Sequence, residues 1–313
     1  MVSSLILASA AAQGPAAATG LTWNILNDLR QLLALHLMVN AFRAGTIVAV
    51  TAGALGWFMV LRRQVFAGHT LAVVSFPGAA GAILAGVSAT TGYFAACVAA
   101  ALVIALVPRS PAGHSYSHES AVIGTVQAFA LACGALFVSL YGGFLNSLTG
   151  LLFGTFLGIS DSQVTTLLLV ALTALAVLAL IARPLLLATI DPNVARARQV
   201  PVRVLAVVFL VLLGCAAAEV SQITGALLVF ALLVMPAAAA QQLTARPAVS
   251  FGLTLALSLA ITWLGLAVAY FSSYPVGFYI TTFGFAAYVL AAAARVTTAR
   301  LASRGLLPRA VGA

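Results

Sequence analysis

The stretch VLRRQVFAGHTLAVVSFPGAAG, residues 60–81, sets two arginines at the end of one apolar run and a histidine near the start of the next. Arg62 and Arg63 separate segments that have the composition of lipid-soluble helix. His69, Ser75 and the Pro77–Gly78 pair put polar and helix-bending groups inside the second segment. This alternation of apolar run and arginine continues along the chain. Of the 313 residues, 63% are hydrophobic and 6% are charged, and the mean hydropathy is +1.16, values foreign to a soluble globular domain. A spanning helix needs roughly 20 apolar residues. In hydrocarbon each backbone polar group must be bonded within the protein, which leaves helices and closed barrels as the options. Ten-residue alternating strands are not visible, so the fold class is all-α, a polytopic transmembrane helix bundle.

The segment LTWNILNDLRQLLALHLMVNAF, residues 21–42, carries Asp28, Arg30 and His36 among its leucines and reads as an interfacial helix. Residues 1–42 are thus expected to be a tail and interfacial helix, 43–295 the transmembrane domain, and 296–313 an arginine-rich cytoplasmic tail. Apolar runs at 43–61, 69–87, 91–107, 120–142, 162–182, 201–219, 223–241, 248–271 and 277–294 give about nine spans, in a range of eight to ten.

All 14 basic residues are arginine, and the net charge is +9 against five acids, Asp28, Glu119, Asp161, Asp191 and Glu219. The arginines sit at the ends of apolar runs, where they orient a membrane protein, so no nucleic-acid partner is expected. Arg62, Arg63, Arg109, Arg183, Arg196, Arg198, Arg203, Arg246, Arg295, Arg300, Arg304 and Arg309 all fall on one side of a nine-span topology. The opposite loops, SATTG, YGGFLNSLTG, EVSQITG and SSYPVG, have none, and only Arg30 and Arg43 dissent. The expected topology has its N-terminus outside and its C-terminus in the cytoplasm. The first twenty residues lack a basic region, so a cleaved signal peptide is not expected. Cys97, Cys133 and Cys215 lie in apolar segments without CxxC spacing and read as small core residues.

Two shorter segments stand apart. LLFGTFLGIS, residues 151–160, is too short to cross; it reads either as a re-entrant helix lining a cavity or as an external loop packed on the bundle. TIDPNVARARQVPVR, residues 189–203, begins with an acid N-cap, Asp191, and Pro192 at the first helical position. A short surface helix carrying Asn193, Arg196 and Arg198 should follow and end before Pro201. It is either a docking element or a loop that supplies positive charge.

Four stretches in order resemble the permease subunits of the metal-uptake (zinc, manganese or iron) family of ABC transporters. GALGWFMVLRRQVFAGHTLAVVSFPGAAGAILAG resembles that family's Arg-Arg, Gly-Asp-Ala-Leu-Ser-His-Ala and Pro-Gly signature. ESAVIGTVQAFALACGALFVSL resembles its acid-then-Ile-Gly helix, TIDPNVARARQVPVR its Asp-Pro-x-x-Ala-Arg segment, and ITGALLVFALLVMPAAAAQQL its Leu-Leu-x-x-Pro-Ala helix. The likeness covers roughly 43–295. It implies an importer permease fold in a bacterial plasma membrane, surrounded by lipid. A homodimer or a paired permease subunit would form the pathway, driven by a cytoplasmic ATP-binding subunit and fed by an external metal-binding protein. No cofactor would be bound permanently: the divalent metal is cargo, and ATP binds only the partner. The chain has no GxxxxGKS or GxxxxGKT phosphate loop and is expected to be a transport subunit rather than an enzyme. The 191–200 helix, with Asp191, Asn193, Arg196 and Arg198, would couple to the ATPase.

The family pattern places an Asp and a His one helical turn apart; here those positions hold His69 and Val73. His69 keeps a ligand type for zinc, manganese or iron, or it is an interfacial side chain bonded to a carbonyl. Ser75 near Pro77 would line the pathway beside a carbonyl freed by the proline, or form a packing kink. Glu219 and Gln222, flanking Ser221, are entry candidates at the outer mouth, since carboxylates at membrane depth are costly; an exposed loop acid would carry no role. His114 and His118 in HSYSHES form a weaker metal candidate, with Glu119 beside them at a helix start. A self-sufficient proton-coupled carrier is the alternative function. A membrane enzyme finds no support, as neither HExxH nor GxSxG is present.

Overall fold

A computed structural model of the chain describes residues 30–32, 34–106, 115–140, 154, 158–226, 229–272 and 274–303. The elements in order are α1 His36–Leu61, α2 Val65–Leu84, α3 Ala89–Leu106, α4 Ser115–Leu140, α5 Asp161–Ile190, α6 Pro192–Ala197, α7 Val202–Thr224, α8 Val229–Leu243, α9 Pro247–Tyr270 and α10 Val276–Ser303. Every element is helical. Eight of these helices are long and apolar enough to cross a membrane, and α8 is a shorter apolar helix. The fold is the expected all-α polytopic bundle.

The boundaries differ from the hydropathy reading where a polar residue interrupts an apolar run. The first span begins at His36 rather than near 43, because Asn40 and Arg43 sit on turns of α1. The sixth run does not stop at Glu219 but continues to Thr224, and the chain turns at Gly225 with φ 76°. The run expected at 223–241 is therefore divided between the last turn of α7 and α8. Arg183, expected in a loop, lies within α5, which reaches Ile190.

Helix α7 is the centre of the bundle, packed by α3, α2, α1 and α5. Ala216, Ala217, Ala218, Glu219, Val220 and Ser221 are consecutive and all buried, so α7 has no lipid face at this level. In lipid, helix association rests on close packing rather than on expulsion of water, and small residues permit it. Where α1 meets α8, a Cβ on Gly56 would overlap the carbonyl oxygen of Leu233, so the two backbones touch.

The arginine-bearing end is tied by side chains. Trp57 Nε1 donates to Ser250 Oγ at 3.0 Å, Gln241 Nε2 donates to the Trp57 carbonyl at 3.2 Å, and Arg295 Nη1 donates to Gln242 Oε1 at 2.6 Å. These bonds join α1, α8, α9 and α10. At the opposite end Asn40 Nδ2 donates to Asp161 Oδ1 at 3.0 Å and to the Ile159 carbonyl at 3.3 Å, joining α1 to the start of α5. His36 Nε2 stands 3.8 Å from Asp161 Oδ2.

Candidate functional site

His69 lies on the second turn of α2. Its ring meets Phe230 of α8 edge to face, with centroids 5.0 Å apart and planes at 78°. Its Nδ1 is buried without a hydrogen-bond partner among the described residues. The neighbouring Thr70 is buried and donates to Gln127 Oε1 of α4 at 2.9 Å.

Ser75 does not share His69's face. Six residues turn a helix through about 600°, which leaves the two roughly 120° apart. Its hydroxyl donates back to the Ala72 carbonyl at 2.6 Å, so it is satisfied within its own helix. Pro77, inside α2, has no N–H to give the Val73 carbonyl, which loses its helical donor. That carbonyl sits one turn from His69.

Glu219 is 0% exposed on α7, and neither carboxyl oxygen has a hydrogen-bond partner among the described residues. It is not a loop acid. A carboxyl group held so deep without a partner is costly, and such groups in membrane proteins mark ion or substrate routes. Gln222, one turn further on, accepts from Thr90 Oγ1 of α3 at 3.1 Å. Its Nε2 donates to the Ala218 carbonyl at 3.3 Å. Gln222 also lines a cleft at the end of the bundle opposite Arg62, with Gly158, Ile159, Gln163, Leu167 and Ile223.

The 151–160 segment contributes to this end. Gly154, with φ 79°, lies against the backbone of Ile223, Thr224 and Gly225, where a Cβ would not fit. Ser160 caps α5 and exchanges bonds with Gln163 in a capping box. Residues 151–153 and 155–157 fall outside the described residues.

At the arginine-bearing end, the short helix expected after Asp191 is present as α6. Asp191 Oδ1 accepts from the backbone N–H of Asn193 at 2.9 Å and of Val194 at 3.0 Å, and Pro192 fills the first helical position. Ala195 is fully buried and seats α6 on the bundle, while Asn193, Arg196 and Arg198 are exposed. Thus one element presents all four of the coupling candidates together. His114 lies outside the described residues. His118 falls on the first turn of α4, but its side chain is also outside them. Among the described residues no three His, Cys, Asp or Glu side chains converge as a metal site.

Asn40, Asp161 and Thr90 were not singled out from sequence as site residues. Asn40 offered a signal, a lone Asn beside an apolar run, since a polar group at membrane depth needs a partner; Asp161 and Thr90 offered none.

The model of the ABC 3 transport family matches residues 34–295. The chain belongs to that family. It is 31% identical over 216 residues to the manganese transport system membrane protein MntC of Halalkalibacterium halodurans, covering 69% of this chain and 73% of that one. It is 31% identical over 251 residues to the chelated iron transport system membrane protein YfeC of Yersinia pestis, covering 80% and 82%. The fold is similar to that of PsaBC from Streptococcus pneumoniae, solved in complex with Fab, with a TM-score of 0.75 and 24% identity over 85% of this chain and 95% of that chain. This ABC 3 family member is a multi-pass membrane permease with an importer-type helical bundle. The family matched is a permease family, which meets the expectation of a transport subunit rather than an enzyme.

Proposed function

We propose that this permease forms, as a homodimer or with a paired permease subunit, the membrane pathway of an ABC importer for divalent zinc, manganese or iron. The metal is cargo, no cofactor is held permanently, and ATP is bound only by a separate cytoplasmic subunit. An external metal-binding protein delivers the ion. The observation that carries this reading is Glu219, a buried carboxyl with no partner among the described residues, in the central helix of an ABC 3 family bundle. Its oxygens supply a hard ligand at membrane depth, and the unpartnered Nδ1 of His69 supplies an imidazole. Gln222 and the cleft beside it form the outer approach, and Ser75 shapes α2 beside the Val73 carbonyl. The inner docking element is α6, through Asp191, Asn193, Arg196 and Arg198. His114 and His118 are assigned to release or regulatory binding at the inner face. The topology that fits has α1 entering from outside and α10 ending in the cytoplasm with the 296–313 tail.

The test is uptake of zinc, manganese and iron ions into liposomes holding the complex with its ATPase subunit. ATP-dependent uptake that is abolished by Glu219→Gln supports the reading. Concentrative uptake by the permease alone, without nucleotide, refutes it in favour of a proton-coupled carrier.

A further inference from the structure

Arg62 caps the C-terminus of α1 and starts the short turn into α2, and its side chain reaches Thr189, Gln64 and Phe209. Nη1 donates to Thr189 Oγ1 in the last turn of α5 at 3.0 Å. Nε donates to Gln64 Oε1 at 3.2 Å, and Gln64 is the N-cap residue of α2. The guanidinium carbon stands 5.3 Å from the ring centroid of Phe209, a fully buried residue of α7. Thr189 is fixed in turn, since its hydroxyl donates to the Leu185 carbonyl at 2.6 Å. Two residues beyond Thr189 comes Asp191, which closes α5 and caps α6. One planar, permanently charged fork therefore connects the last turn of α5, two residues before the cap of α6, with α7 and with the N-cap of the helix that bears His69.

We propose that Arg62 is a positioning residue that transmits displacement of α6 to the base of α2, so that force applied at the docking helix changes the setting of His69. The inference rests on the importer reading above and adds to it the contact that carries the force. Neither Arg62 nor Thr189 is among the residues proposed above to line the cargo route. Their joint effect is on how much transport each ATP yields. Thr189 is the informative partner: Thr189→Val removes the hydroxyl and keeps the shape, whereas Thr189→Ser keeps the hydroxyl.

The experiment measures manganese or zinc ions imported per ATP hydrolysed, in liposomes holding the whole complex, together with complex yield and thermal stability. Thr189→Val and Arg62→Met should each lower that ratio about five-fold or more, while Thr189→Ser stays near the wild type. The double variant Arg62→Met with Thr189→Val should be no worse than Arg62→Met alone, because both remove one link. Arg62→Lys, which keeps the charge but not the fork, should not restore the ratio. An unchanged ratio in Thr189→Val overturns the inference, as does a loss that only tracks lost assembly or stability. If the wild-type complex imports and Thr189→Val imports equally well, the inference falls and the importer reading stands. If the wild-type complex hydrolyses ATP without importing any of the metals, both fall.

Discussion

Gly78 of α2 and Gly92 of α3 meet backbone to backbone: a Cβ on either would run into the carbonyl oxygen of the other. Neither can give way, since the obstructing atoms are helical main chain and the Cβ atoms of Ala96 and Ala82, which have no rotamer freedom. Overpacking of this kind costs about 1–3 kcal/mol. Gly92→Ala should lower thermal stability in detergent by several degrees. Gly252→Ala, where nothing lies within 4 Å of the new Cβ, should leave it unchanged or slightly raised. A neutral Gly92→Ala would show that α2 and α3 are further apart than described.

Glu219 should separate stability from transport. Burial without a partner makes the carboxyl a cost to the fold, so Glu219→Gln should match or exceed the wild type in melting temperature. The same variant should lose at least about ten-fold in uptake, as expected when a ligand at membrane depth is removed. Parallel loss of both properties would make Glu219 a structural residue.

Asp191 tests α6 through its cap. Asp191→Ala removes two bonds to backbone N–H groups and should cost about 1 kcal/mol of local helix stability. It should also reduce recovery of the ATPase subunit in co-purification. Asp191→Asn and Asp191→Ser, which still cap, should retain most of it. Full recovery with Asp191→Ala would remove α6 from the docking surface.

Asn40 links α1 to α5 at the end of the bundle opposite Arg62. Asn40→Leu should destabilise the protein by about 1–3 kcal/mol, because Asn40 is buried and bonded to both Asp161 and the Ile159 carbonyl. Asn40→Asp should be worse, since it places a second carboxylate against Asp161. Melting temperatures of the two variants check the order.

Much of this architecture was legible from composition. Apolar runs separated by arginines gave the span order, and Asp191–Pro192 announced α6, because caps and prolines act locally. The end of the sixth run misled, because a hydropathy window treats Glu219 as an edge whereas α7 continues to Thr224. The carboxyl is tolerated inside α7 only because other helices surround that helix, and this is a property of packing. The same holds for Ser75, whose bond to Ala72 depends on its rotamer, and for Arg62, whose partner Thr189 lies 127 residues away. The opposition of Gly78 and Gly92 is equally invisible to a single helix read alone.

Helix α5 has 30 residues, so it is about 45 Å long, against a hydrocarbon slab of roughly 30 Å. Such a rod must lean or protrude, and its lean follows the acyl chain length of the host lipid. The height and angle at which α6 stands at its end of the bundle are thereby set partly by the bilayer. Membrane thickness becomes a control parameter for this transporter, adjustable by growth temperature or lipid supply with no change in the protein.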